Sequence, residues 1–314
     1  MPRVSVIIPT HNRPVLLAEA LTSLLAQTFT DWEALIVDDA STTPVTIDEG
    51  DKRIRVLRHS SSQGGAAAKN AGIKDASAEI LAFLDDDDLY APQYLERALG
   101  ILDRNPNLDV VFMGVSWFGT AGSWGQRNYD EAMAKTLALA QGKALEEGVI
   151  TFGDRLLDAL LKSVPMAFQR PVVRKRALER IGPYRPDCLL WDCDWAISAA
   201  LNASTAFLPD GLYLQRAEGQ GYSSRGNRRL EHLASSIEIK DRFLQNAHHG
   251  LYPQRLIPQF RKAAAMAWFD LAWHHYQQNN RRRAFGALWA SELRQFSLPH
   301  LKLLVRLMLP NKSL

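Results

Sequence analysis

Phe83-Leu84-Asp85-Asp86-Asp87-Asp88 decides how this chain is read, because an apolar run ends there in four consecutive carboxylates. Residues 80–84 have the length and composition of a buried strand. Four carboxylates close together in a poorly solvated place repel one another by several kcal/mol. A bound divalent cation is the simplest relief. The alternative is a solvated acidic loop capping the next helix, a common use of Asp.

Working outward, the same arrangement recurs. Residues 4–8 form a β-branched run that ends in Pro9-Thr10-His11-Asn12-Arg13. Leu17, Ala20, Leu21, Leu24 and Leu25 follow at helical spacing, which predicts a helix over 14–27. Leu35-Ile36-Val37 is the next strand and ends in Asp38-Asp39-Ala40-Ser41. Residues 54–57 and 110–113 complete the strands, with helices predicted over 65–75 and 92–104. Strands alternating with helices argue for an α/β fold with a mostly parallel sheet. Ligands of such sheets bind at the carboxyl ends of the strands, where the polar clusters fall. No Gly-x-Gly-x-x-Gly or Gly-Lys-Ser/Thr phosphate loop is present. Gly64-Gly65 opens a helix of small residues, in which Lys69 either reaches a phosphate or base or is a surface lysine. Over 116–163 Gly119, Gly122 and Gly125 interleave with Trp117, Phe118 and Trp124, and a helical segment follows. That run reads either as a loop platform for a sugar or as an ordinary insertion.

Composition narrows the class. The 314 residues are 46% hydrophobic and 23% charged, enough for a folded core. Cys188 and Cys193 match no metal spacing and are too few for a disulfide framework, so a reducing, cytoplasmic setting is expected. No signal peptide and no run of transmembrane length is read. The net charge of +3 conceals an asymmetry: residues 228–314 hold 14 Lys/Arg against 5 Asp/Glu, which is +9 and leaves −6 for the rest. An acidic front is a poor nucleic-acid binder and a plausible metal site, whereas a basic tail suits an anionic surface or partner. The pairs His248-His249 and His274-His275 point to different helix faces and are not expected to bind metal.

Taken in order, Val4-Ser5-Val6-Ile7-Ile8-Pro9-Thr10, Asn12-Arg13, Val37-Asp38-Asp39-Ala40-Ser41, Ala68-Lys69-Asn70-Ala71-Gly72 and the Asp85–Asp88 run resemble family 2 glycosyltransferases of the GT-A fold. Residues 176–184 and Trp191-Asp192-Cys193-Asp194-Trp195 extend the resemblance to about residue 225. It implies a GT-A catalytic domain over 1–227, with a nucleotide-binding half (1–113) and an acceptor half (114–227), followed by a helical C-terminal region (228–314).

The resemblance also implies roles. Pro9, His11, Asn12, Asp38 and Asp39 would line the base pocket, with Asp39 accepting from a uracil-type imide and favouring a UDP- or dTDP-sugar. Asp85 and Asp87 would hold ribose and Mn²⁺ or Mg²⁺, with Asp86 between them; Lys69 and Arg216 are candidate phosphate contacts. Asp192 would be the base of an inverting transfer to a glycan or lipid-linked acceptor. Trp191 stands where the family has an acid, and Ser198 where it has an arginine, so Asp194 is a rival base. The reading outside catalysis is a GT-A-like protein that binds nucleotide or scaffolds partners.

For the tail, Trp268, Leu271, Ala272 and Ala284 resemble one tetratricopeptide hairpin, too few for an array. Residues 298–309 set Leu301, Leu304, Val305 and Met308 at helical spacing beside Lys302 and Arg306. That pattern fits a helix lying at the inner membrane face, or packing on the catalytic domain or a second copy.

Overall fold

Val4, Val6, Ile7 and Ile8 are fully buried, as are Ala34 to Val37 and Ile80 to Ala82. Strands covered on both faces need no polar alternation, which is why they read as continuous apolar runs. In the computed structural model, which describes residues 1–47, 51–218 and 228–308, they are β1 (Val4–Thr10), β2 (Trp32–Asp38) and β4 (Ile80–Phe83). With β3 (Ile54–Arg58) they pair in parallel in the order β3-β2-β1-β4. Helix α1 (Pro14–Leu25) joins β1 to β2, α2 (Gly65–Asp75) joins β3 to β4, and α3 (Tyr94–Arg104) follows β4, all within two residues of the expected ends.

Beyond β4 the sheet continues through strands that the sequence announces poorly. The short β5 (Leu89–Tyr90) precedes α3, and β6 (Val110–Phe118) runs five residues past its expected end. The glycine-and-aromatic run after it is not a loop: α4 begins at Gly122 and extends to Ala140. A Cβ on Gly125 would fall 2.6 Å from the Trp117 ring, so the glycine lets the helix close on that indole. Then come the hairpin β7 (Lys143–Glu146) and β8 (Val149–Thr151), α5 (Arg155–Lys162), β9 (Pro171–Arg174), α6 (Leu178–Ile181), α7 (Trp191–Asn202) and β10 (Thr205–Arg216).

The completed order is β3-β2-β1-β4-β9-β6-β10-β8-β7, with β5 also on β10. β9 enters antiparallel between β4 and β6, Val172 lying opposite both Ala82 and Val111. β10 is parallel to β6. The carboxyl ends of β1, β2, β4, β6 and β10 and the amino end of β9 therefore share one edge.

By contacts the described residues divide into two compact units, one of Met1–Asp187 with residues 191–218, the other of Cys188–Leu190 with residues 228–308. The expected boundary at 227 lies outside the described residues. The second unit holds α8 (Arg229–His248), α9 (Ile257–Gln277), α10 (Arg281–Glu292) and α11 (Leu298–Met308). Ala272, Ala284, Ala287, Leu288, Leu303 and Leu307 form its buried cluster across α9, α10 and α11. Asp241 of α8 accepts from Arg294 at 2.7 and 2.6 Å and from the Trp268 indole at 3.0 Å. α11 buries His300, Leu303 and Leu307; of the expected stripe, Leu301, Val305 and Met308 are exposed while Leu304 packs half-buried against the cluster, and Leu309 lies outside the described residues. No helix among the described residues is long and apolar enough to cross a membrane.

Candidate active site

The four carboxylates after β4 are not bare: cationic side chains of the protein pair with them. Arg13, at the end of β1, reaches Asp86 at 2.8 Å and Asp87 at 3.1 Å. Lys69 of α2 holds Asp85 at 2.9 Å, and Arg170 holds Asp85 at 3.2 Å and Asp88 at 3.4 Å. Asp88 is fully buried and also accepts from Tyr213 (2.9 Å), the Gln215 side chain (3.1 Å) and the Arg216 N–H (2.9 Å). It anchors β10 to the acidic loop. Asp86 accepts from the Thr10 hydroxyl at 2.7 Å and anchors β1.

The four have different electrostatics. Burial opposes ionisation of Asp85, but the charges of Lys69 and Arg170 outweigh it and hold its pKa well below the usual range. Burial raises Asp86 to about 6, against Thr10 and Arg13. Burial, then the Asp85 charge, raises Asp87. The charges of Arg13 and Arg170 offset burial and the Asp85 charge at Asp87 only in part.

The carboxyl ends of β1 and β2 build a second cluster on the same edge. Asp38 is fully buried: burial opposes its charge, but hydrogen bonds from Ser41, Val45 and Arg58 lower its pKa. Asp39 accepts from His59 and the Gln63 N–H on one oxygen, and from Ser62 and the Gly64 N–H on the other, at 2.7–2.8 Å. These donors lower its pKa against burial, and they fold residues 59–64 around it. His11 Nδ1 lies 2.7 Å from the Asp39 carbonyl oxygen, and its ring is exposed. Asn12 takes φ 56° and accepts from Thr42 N–H at 2.8 Å while its own N–H donates to Ser41. Pro9 pairs opposite Val37 and is half-buried. Pro9, His11, Asn12, Asp38 and Asp39 thus gather at one end of the edge.

The helix of small residues has a reason for each position. Ala68 is buried, Asn70 exchanges two hydrogen bonds with the Tyr184 backbone, and Gly72 abuts Ile7. Lys69 is neither a surface lysine nor a free one. It is 2% exposed, in a cage of Phe83, Tyr184 and Trp191 rings, 4.7 Å from the last. Trp191 completes this cage at the start of α7, and the next residue, Asp192, is half-buried; Asp194 is 4% exposed. Burial raises the Asp192 pKa, opposed first by Arg170. Arg216 sets its Nε 2.9 Å from the Asp87 carbonyl oxygen, pairs with Glu19, and lies over Phe118.

Arg170 was invisible in the sequence as a site residue. It stands just before β9, and because β9 is antiparallel its first residues arrive at the edge where the other strands finish. Besides its two carboxylates it donates to Gln215 at 2.7 Å and stacks on Tyr213. The only signal was an arginine preceding the β-branched Val172-Val173.

Among the described residues no group of three or more His, Cys, Asp or Glu is arranged to enclose a metal. The residues present suit a cation of another kind: Asp87, with Asp85 beside it, offers hard oxygen to an ion that takes its remaining ligands from a diphosphate, as Mg²⁺ commonly does.

Comparison with known proteins bears on the fold and the family. An uncharacterized glycosyltransferase of Rickettsia felis is 44% identical over 107 residues, covering 33% of this chain and 18% of that protein. An Escherichia coli UDP-Glc:alpha-D-GlcNAc-diphosphoundecaprenol beta-1,3-glucosyltransferase is 33% identical over 113 residues, 35% of this chain and 44% of its own. These matches therefore span less than half of each relative. Among solved structures, S. aureus TarS 1–349 in complex with UDP-GlcNAc aligns with TM-score 0.56 at 17% identity, covering 93% of this chain and 92% of that one. A Pyrobaculum calidifontis mannosyltransferase in complex with GDP-Man and Mn²⁺ aligns with TM-score 0.55 at 20% identity, covering 97% and 79%. At such identities the likeness is one of fold, and the fold is GT-A. Residues 5–162, half of the chain, match the family Glycosyl transferase family 2, and the chain belongs to that family.

Proposed function

We propose that the chain is an inverting, metal-dependent glycosyltransferase that moves a sugar from a UDP- or dTDP-linked donor to a hydroxyl of a glycan or lipid-linked acceptor. The observation that carries the proposal is the division of labour among carboxylates on one sheet edge. Asp86 and Asp88 are consumed in anchoring β1 and β10, whereas the Asp87 carboxylate pairs with Arg13 and the Asp192 carboxylate accepts from the Cys193 N–H, neither of them a strand contact. Residues 1–113 then supply the nucleotide side and 114–227 the acceptor side.

In this reading Asp85 and Asp87 hold Mn²⁺ or Mg²⁺, whose charge offsets that of the departing diphosphate. Arg13 and Arg216 flank the same loop and add fixed positive charge. Asp192, half-buried where Asp194 is enclosed, takes the acceptor's proton as its oxygen attacks. A carboxylate raised by burial is a stronger base than one in water, which favours this role. All four lone-pair directions of Asp39 are occupied, so a base imide must replace one donor. The Ser62 hydroxyl, a single rotor, is the easiest to turn away. TarS bound to UDP-GlcNAc supports the pyrimidine preference, and the GDP-Man complex is the reason to test it.

The test is a transfer and hydrolysis assay across UDP-, dTDP- and GDP-sugars with Mn²⁺, with and without chelator. Turnover of a UDP- or dTDP-sugar that chelator abolishes is expected. Asp87→Asn should keep the fold and lower turnover by orders of magnitude. Full activity in excess chelator, or a clear GDP preference, would overturn the corresponding part.

A further inference from the structure

Large apolar side chains exposed singly on a protein surface need no explanation, but a concentration of them does. Eight of the seventeen exposed large hydrophobic residues among those described fall between positions 285 and 308. α10 buries Ala284, Ala287, Leu288 and Ser291 against its neighbours and turns Phe285 and Trp289 outward, 48% and 61% exposed. Leu293 extends that row by one more turn at 71%. α11 repeats the pattern. Its inner face is His300, Leu303 and Leu307, while Leu298, Leu301, Val305 and Met308 look out. These helices are apolar on two opposite faces, and one of the faces is exposed among the described residues.

The charges around that face have one sign. Arg282 and Arg283 are exposed beside Phe285, and Lys302 and Arg306 beside Leu301 and Val305. The single acid between positions 281 and 308 is Glu292, and its carboxylate lies 2.9 Å from the buried His300 imidazole, turned toward the interior. We propose that the outer faces of α10 and α11 dock on an anionic lipid bilayer. Aromatic and aliphatic side chains enter the boundary between headgroups and acyl chains, and the flanking Arg and Lys side chains meet lipid phosphates.

A second copy of the chain fits less well. A twofold dimer sets the same patch against itself, so an all-basic rim would meet an all-basic rim. An anionic surface neutralises that rim and covers the apolar rows together. Two short helices also compensate for what one lacks, since a single helix the length of α11 buries little apolar area.

Sedimentation of the full chain with vesicles tests this without reference to sugar transfer, so its outcome is independent of the catalytic reading. The protein should pellet with vesicles of phosphatidylcholine containing phosphatidylglycerol, stay in solution with phosphatidylcholine alone, and lose binding as salt rises. Trp289→Ser with Val305→Ser, and separately Arg282→Glu with Lys302→Glu, should each weaken partitioning roughly tenfold or more. All four side chains are exposed, so unfolding midpoints should not move. No pelleting with anionic vesicles at low salt would overturn the proposal, as would equal binding to both vesicles or variants that bind like the parent. A dimer in sedimentation velocity that Trp289→Ser with Val305→Ser dissociates, in a protein that ignores vesicles, would assign the face to a second copy instead.

Discussion

Arg170 pairs with two carboxylates of the acidic loop, fully buried Asp88 and half-buried Asp85. Removing one partner of a buried ion pair costs more than the pair contributes, because the survivor keeps its desolvation penalty. Arg170→Met should therefore destabilise the chain by about 3–5 kcal/mol in denaturant unfolding, and turnover should fall with it. Arg170→Lys keeps the charge without the planar fork, so it should recover part of the stability and less of the activity. Asp192 makes a different prediction. A base must be ionised, and burial raises its pKa, so kcat/KM should climb with pH above the ordinary carboxylate range and then level off. Asp192→Asn should abolish transfer and the climb together while donor binding, read by calorimetry, stays within a few-fold. An Asp194→Asn variant that loses more would reverse the assignment. The acidic run, Asp38-Asp39 and Asp192 were legible in the sequence because carboxylates bunched after apolar strands have few ordinary uses. Arg170 was not, since a lone arginine before a short strand looks like any surface residue until the strand's direction is known.

Among the elements, α2 shows how packing overrules propensity. Gly72 sits inside this helix, where replacing glycine by alanine normally gains about 1 kcal/mol. A Cβ there would fall 2.5 Å from Ile7 Cγ2 on β1, a fully buried side chain with nowhere to move. Overpacking of that kind costs about 1–3 kcal/mol, so Gly72→Ala should lower stability despite the better helix former, as thermal unfolding can show. β1, β2, β4 and α2 were readable because each is long or apolar enough for its period to show. β9 is four residues that begin with proline, and β7 lies largely in solvent, so neither carries a pattern. α4 was obscured by Gly122 and Gly125, which read as loop residues and in fact serve close approach to Trp117.

For the molecule as a whole, the position of β9 governs what can fold alone. The family match stops at residue 162, before β9, yet β9 is the strand that joins β4 to β6. A fragment of residues 1–162 keeps β3-β2-β1-β4 and strands it at an unpaired apolar edge. It should express as aggregate or as a molten species, while the full chain shows one cooperative transition; a soluble, cooperatively melting fragment would refute this account of the sheet. The same geometry bears on synthesis. At ordinary elongation rates β4 leaves the ribosome on the order of ten seconds before β9 follows. Throughout that interval Ile80 to Phe83 present open backbone donors and acceptors to any neighbouring nascent chain, the usual seed of misassembly. For this protein the yield of folded enzyme in a cell is then set by how well that edge is shielded during translation, and slowing codons between β4 and β9 should lower it without altering the finished fold.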